Sequence, residues 1–227
     1  MITYDFDTFT SMGSVYPEGT LITNGISKDR SAGGYRLGSC ILPENCSQKL
    51  IDGFTKIAAT VYTNVSTPTQ YAAITAYEPN EEIDEYMRIV RNIHCIMGTF
   101  MSEEFNKIDG IKATIPRGSF YFFADFNELS ADLIRKGVKT SNELSDSLIS
   151  HPYHIAAVTG DACLLKPDNF GARIAFVDYD GEAAFKKYTQ NPPKTKADEI
   201  TFINQNAPRM VSGIDALKSY VDYLRSS

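Results

Sequence analysis

The chain lacks most of the features that would place it in a specialised class. It has four cysteines, Cys40, Cys46, Cys95 and Cys163, with no Cys-x-x-Cys pair and no zinc-ligand spacing. Scattered cysteines of this kind read as reduced residues in or near a core, not as a disulfide framework. No stretch approaches the roughly 20 apolar residues that a membrane span requires. The opening residues, Met1 to Asp7, carry neither the basic region nor the apolar segment of an export signal. The expected location is the cytoplasm, with no membrane partner. The net charge is -6 and no run of five like charges occurs. That excludes nucleic acid as a default partner, because phosphate backbones are held by clustered Lys and Arg. The three histidines come with no Gly-x-Ser-x-Gly, so nothing supports a serine triad. His151 and His154 have no third ligand type nearby, and no metal is expected. Internal repeats and low-complexity tracts are also missing.

What is present is an ordinary globular composition, 43% hydrophobic and 22% charged over 227 residues. A chain of this length buries roughly 70% of its unfolded surface and needs no staple. Residues 20–24 and 35–42 read as short strands, apolar enough to be central in a sheet. Residues 48–63 read as a helix through Leu50, Phe54, Ile57 and Val61. A second helix opens at Thr67-Pro68-Thr69-Gln70, where Thr67 serves as cap, and ends at Tyr77 before Pro79. The longest periodic segment, residues 81–105, puts Ile83, Met87, Val90, His94, Met97 and Met101 on one side. His94 in that stripe reads as a packed structural residue.

Beyond it the pattern changes. Residues 110–116, 119–126, 155–158 and 172–177 read as strands, and 129–136 and 141–150 as helices. Residues 191–207, polar and flanked by prolines, are expected to be a surface loop, and 214–224 a closing amphipathic helix. The expected division is residues 1–78, a connecting helix over 79–106, and a second α/β or α+β unit over 107–227.

Three residues stand out chemically. Lys28 and Arg36 share the run Ser27-Lys28-Asp29-Arg30-Ser31-Ala32-Gly33-Gly34-Tyr35-Arg36-Leu37-Gly38. The lysine offers an amine able to condense with an aldehyde, provided that it can shed its proton; burial or nearby Arg30 and Arg36 would favour that. The plain alternative is one more surface lysine. Arg36 offers a paired-donor fork for phosphate, and Gly33 and Gly34 clear side chains from its surroundings. Arg173 alternates with Ala175 and Val177 on one strand face and suits a carboxylate. Its plain alternative is an edge salt bridge with Asp178 or Asp180. The aromatic run Phe120 to Phe123 reads mainly as core, with Tyr121 as a possible pocket edge.

The segment Thr23 to Gly38 closely resembles the cofactor-lysine segment of fold-type I pyridoxal phosphate aminotransferases, classes I and II. The likeness continues in order through Ser66 to Ala73, Gly118-Ser119-Phe120-Tyr121-Phe122, and Phe170-Gly171-Ala172-Arg173-Ile174-Ala175-Phe176-Val177. The resemblance implies Lys28 as the catalytic lysine bound to pyridoxal 5'-phosphate, Arg36 as a ligand of its phosphate, and Arg173 as the grip on the substrate carboxylate. It implies amino acid and 2-oxo acid substrates and a homodimer. It also implies an incomplete large domain with a mainly parallel sheet, followed by an α/β small C-terminal domain. Gly25 departs from the pattern, where some relatives carry a phosphate-binding serine.

In the family about half the chain precedes this lysine, and it supplies the glycine-rich phosphate loop, the stacking aromatic and the aspartate of the ring nitrogen. Here Lys28 is almost at the start. The expectation is a transaminase fragment, inactive alone, that works with a missing N-terminal half or a complementing chain. The rival expectation is a noncatalytic α/β interaction protein derived from the family.

Overall fold

The computed structural model describes residues 3–5 and 9–226. They form two compact units, residues 1–88 and 89–227, which divide inside one long helix. Among the described residues, no helix is long and apolar enough to cross a membrane.

The first unit begins with a single-turn helix α1 (Met12–Val15), then strand β1 (Ile22–Gly25), a second single turn α2 (Ile26–Asp29) and strand β2 (Gly38–Ile41). Helices α3 (Gln48–Ile57) and α4 (Thr67–Tyr77) follow, and α5 (Glu81–Phe105) starts here. The strands pair antiparallel, from Ile22 opposite Ile41 to Gly25 opposite Gly38. The expected central strands of a mainly parallel sheet are therefore not found: every strand pairing among the described residues is antiparallel. The cause is local. Residues 26–37 curl through two tight turns, closed by the Ala32 amide donating to the Ile26 carbonyl at 3.1 Å. Such a connection reverses the chain, whereas a parallel pair needs a crossover back to the other end.

Among the described residues this unit has little core. Its buried apolar cluster consists of Ile26, Leu37 and Ala73, with Ala32, Val65 and Ala76 against it. The stripe Leu50, Phe54, Ile57 and Val61 does form on α3 and its wider continuation through Tyr62, but all four side chains are exposed. Cys40 is exposed too, against the expectation of a thiol in or near a core, because among the described residues the β1–β2 ladder has no third strand; all four cysteines are free.

The second unit holds the rest of α5, β3 (Lys112–Ala113), β4 (Tyr121–Asp125), α6 (Ser130–Arg135), α7 (Ser141–Ile149), β5 (Val158–Thr159), β6 (Gly171–Ala175), α8 (Gly181–Gln190), α9 (Lys196–Asn206) and α10 (Pro208–Arg225). Its antiparallel sheet has the order β3-β4-β6-β5. Phe122, Ala124, Ala172 and Ile174 alternate inward and are buried, as are Leu217, Tyr220 and Leu224 of α10. The expected loop over 191–207 is corrected: α9 is a helix. Thr195 caps it in a reciprocal box with Asp198, which secures the first turn without an apolar stripe. Only Phe202, Ile203 and Asn206 are buried, so periodicity gave little signal. Helix α10 also starts six residues before the expected 214, because Pro208 sits in its first turn, where a missing N–H costs nothing.

Helix α5 covers the apolar face of this sheet. Phe105 meets Phe122 edge-on with ring centroids 5.0 Å apart. At Gly98, an added Cβ would lie 2.6 Å from the buried Phe176 ring and 2.9 Å from Pro116. Gly→Ala within a helix ordinarily stabilises by about 1 kcal/mol. Here overpacking, typically about 1–3 kcal/mol, is the larger effect. Gly98→Ala is expected to lower the urea midpoint of the second unit.

His94 is buried among the rings of Phe120, Phe176 and Tyr179, with the Tyr179 hydroxyl 3.2 Å from Nδ1. Burial pushes its pKa from 6.5 down to about 4. A base whose folded pKa is depressed stays neutral in the fold while the unfolded chain takes up protons. Stability should therefore fall as pH drops from 6.5 toward 4, by about 3 kcal/mol in all. Denaturant titrations of wild type and His94→Gln across that window should show the slope in wild type and a flatter profile in the variant.

Candidate active site

The loop between β1 and β2 carries both Lys28 and Arg36, and the apolar residues beside them fix its ends. Ile26 lies two residues before Lys28 and Leu37 immediately follows Arg36; both are buried in one cluster with Ala73 of α4. The Gly25–Gly38 pair closes the base of the loop. A Cβ at Gly25 would lie 3.3 Å from the Leu37 carbonyl, and one at Gly38 the same distance from that of Asn24. The departure from serine at position 25 thus coincides with a close approach of two backbones.

Lys28 is an exposed residue within the α2 turn, and its carbonyl accepts from the Ser31 amide at 3.3 Å. Arg30 has a structural role. Its Nε donates to the Ala76 carbonyl at 2.7 Å, its Nη1 to the buried Asp29 carboxylate at 2.8 Å, and its guanidinium lies 4.9 Å from the Tyr77 ring centroid. The α2 turn is thereby tied to the end of α4. Arg36 has a left-handed backbone, φ +53°, a conformation that costs a non-glycine residue roughly 1–2 kcal/mol. Its Nη1 donates to the Gly33 carbonyl at 2.9 Å. The two arginines are thus held by different partners.

Arg36 lines an open cleft of about 750 Å³ with Asn64, Ser66 and Thr69 among its polar neighbours. Lys28 is not among the cleft's lining residues. Nothing lies within 4 Å of where a Gly34 Cβ would be. Helix α4 begins at this cleft with Ser66, not Thr67, as its N-cap, and without a side-chain cap. Pro68 has no N–H and the Gln70 amide donates to the Ser66 carbonyl at 3.0 Å, so the helix start offers the Thr67 and Thr69 amides. A guanidinium, two hydroxyls and a helix start make a donor set suited to an anion. The contribution of Asn64, Ser66 and Thr69 to Arg36 was not read from sequence, although the Ser-Thr-Pro-Thr helix start was visible.

Arg173 belongs to the second unit. In β6 it pairs with Phe123 of β4 and Val158 of β5, on the face opposite the buried Ile174. Its guanidinium lies 4.4 Å from the Tyr121 ring centroid, and its buried Nε has no hydrogen-bond partner among the described residues. The aspartates of the salt-bridge alternative are engaged elsewhere. Asp178 accepts from Arg209 Nη2 at 2.7 Å and Asp180 caps α8 through the Ala183 amide at 3.0 Å. Tyr121 under Arg173 needed the strand register to be seen. Among the described residues no group of three or more His, Cys, Asp or Glu side chains is placed to hold a metal ion.

The chain belongs to the family described as aminotransferase class I and II, whose sequence pattern matches residues 6–184. It is 30% identical over 173 residues to an aspartate aminotransferase of Geobacillus stearothermophilus, covering 74% of this chain and 40% of that protein. With an aspartate aminotransferase of Sulfolobus acidocaldarius the identity is 27%, over 69% of this chain and 36% of the other. The fold is similar to that of the aromatic aminotransferase of Pyrococcus horikoshii, with TM-score 0.69 and 19% identity over 98% of this chain and 48% of that one. A Thermus thermophilus aspartate aminotransferase gives TM-score 0.67 at 17% identity, over 96% and 48%. The chain thus spans less than half the length of these relatives.

The Arg30–Asp29 pair yields a prediction. Arg30→Ala removes donors from the Ala76 carbonyl and the Asp29 carboxylate together. It should raise hydrogen exchange at the Ala32 and Tyr35 amides, with local stability reduced by about 2 kcal/mol.

Proposed function

We propose that this chain serves a pyridoxal 5'-phosphate-dependent transaminase, moving an amino group between an amino acid and a 2-oxo acid, with Lys28, Arg36 and Arg173 as its contributions. The observation that carries the reading is the loop of residues 26–37, which holds an amine and a phosphate-competent guanidinium between two buried anchors. The donor set of the Arg36 cleft fits a phosphate monoester, and Arg36, Ser66 and Thr69 would hold it. When bound, the cofactor supplies an aldehyde and an electron-withdrawing ring. Lys28 Nζ would take the proton from substrate Cα and return it to the product. Arg173 would hold the substrate carboxylate by paired N–H donors and so restrict how the substrate turns.

The proposal includes an incomplete large domain, a small C-terminal domain and a homodimeric assembly. It also includes dependence on a further portion of the fold, in the same polypeptide or a complementing one, without which the chain is inactive. Two facts favour this: relatives contain about twice as much chain, and the α3 stripe is exposed. That stripe equally favours the second reading, a noncatalytic interaction protein derived from the family.

Reduction with borohydride after incubation with pyridoxal 5'-phosphate, followed by peptide mass spectrometry, separates the two. The transaminase reading expects label concentrated at Lys28 and lost in Lys28→Ala. Arg36→Leu should weaken capture of the phosphorylated aldehyde about tenfold or more while leaving that of pyridoxal little changed. Label spread evenly over surface lysines would favour the interaction protein. Equal competition by inorganic phosphate would reduce the Arg36 cleft to a simple anion site.

A further inference from the structure

We propose that Tyr121 is the positioning residue for Arg173: its ring is the platform that holds the guanidinium ready for a carboxylate. The inference rests on the reading of Arg173 as a carboxylate ligand and adds what keeps that ligand in place. Tyr121 and Phe123 leave β4 on the same side, and Phe123 is the direct cross-strand partner of Arg173. The guanidinium therefore meets a tyrosine one diagonal step away, at 4.4 Å from Cζ to the ring centroid. The ring itself is braced by Phe120, with centroids 4.4 Å apart.

The physical consequence is specific. An ion pair or hydrogen bond would hold Arg173 by occupying its N–H donors. Contact with an aromatic face holds the cation through its π side and leaves the in-plane donors for a ligand. Nε illustrates this, being buried with no partner among the described residues. A buried donor left unmatched is unfavourable until an acceptor arrives, and a carboxylate can meet Nε and a terminal nitrogen of one guanidinium through two parallel bonds. Asp178 and Asp180, the carboxylates that follow Arg173 in the chain, are taken by Arg209 and by the start of α8. The tyrosine hydroxyl has no part in this role. Phenylalanine should serve as well, and leucine should not.

The test uses the purified chain with maleate, an unreactive dicarboxylate, as probe and chloride as control. Heteronuclear NMR follows the Arg173 Nε–H resonance, and calorimetry gives the affinity. In wild type the resonance should be shifted by the ring current, show a nuclear Overhauser contact to the Tyr121 ring protons, and move on addition of maleate but not chloride. Tyr121→Leu should abolish the ring-current shift and weaken maleate about five- to tenfold, and Tyr121→Phe should restore both. A leucine variant with wild-type affinity, or a wild-type spectrum without the ring contact, overturns the platform. The ring contact is read on unmodified protein, so a misfolded leucine variant leaves the proposal open to refutation. Arg173→Leu distinguishes the two layers. Unchanged maleate binding in that variant, or none in wild type, refutes Arg173 as the carboxylate ligand; loss there with no effect of Tyr121→Leu refutes only the role given to Tyr121.

Discussion

The pairing of β4 with β6 decides which side chains of the second unit are core and which are left for chemistry. Strand residues alternate faces, so a register that puts Phe122 opposite Ile174 also puts Phe123 opposite Arg173. The first pair is buried under α5 and the second points away from it. A slip of one residue would bury a guanidinium without a counter-charge and expose Ile174 and Phe122. The aromatic packing of Phe105, Phe122 and Phe176 therefore fixes the position of Arg173 without touching it.

Among the described residues the first unit has no comparable anchor. Ile26, Leu37 and Ala73 are its buried cluster, and burying a few small apolar side chains contributes only a few kcal/mol. The Lys28 loop consequently depends on polar fastening: the Arg30 ties to Asp29 and Ala76, and the Gly25–Gly38 backbone contact. Such fastening fixes the local path of the chain but excludes little water. A lysine that must lose its proton needs the opposite environment, dry or flanked by positive charge, and Lys28 is exposed here. Covering the α3 stripe is the change that would most alter this unit, since Leu50, Phe54, Ile57 and Val61 form a ready apolar face.

How far the sequence disclosed this depended on the kind of signal each element carries. Helix α5 was legible to its end residues because 25 positions repeat one period and acidic residues begin it, although the buried seam runs through Ile89 and Ile93, not Met87 and Val90. Helix α9 was illegible by period, since its buried residues cluster at one end; its Thr195–Asp198 box was the available clue. The parallel sheet was an inheritance of the family likeness that residues 22–41 do not form alone. Among the site residues, the spacing of Lys28 and Arg36 in one loop was visible as pattern. Ser66 and Thr69 beside Arg36 depended on how α4 returns to that loop, and Tyr121 beneath Arg173 on a register that no local pattern encodes.

Arg36 and Arg173 meet one requirement by different means. A free arginine side chain carries about 2 kcal/mol of rotamer entropy, and any anion that orders it must overcome that amount. Arg36 is restrained by its own backbone, in a left-handed residue whose Nη1 returns to the Gly33 carbonyl, so one donor is occupied before a ligand arrives. Arg173 is restrained by an aromatic face and keeps its buried Nε unmatched. The first arrangement suits a tetrahedral anion that has several other donors to satisfy it, here the Ser66 and Thr69 hydroxyls. The second suits a planar carboxylate, whose two oxygens need parallel N–H groups from a single guanidinium. Under the proposed function, the difference in how each arginine is fastened carries the difference in what each would select.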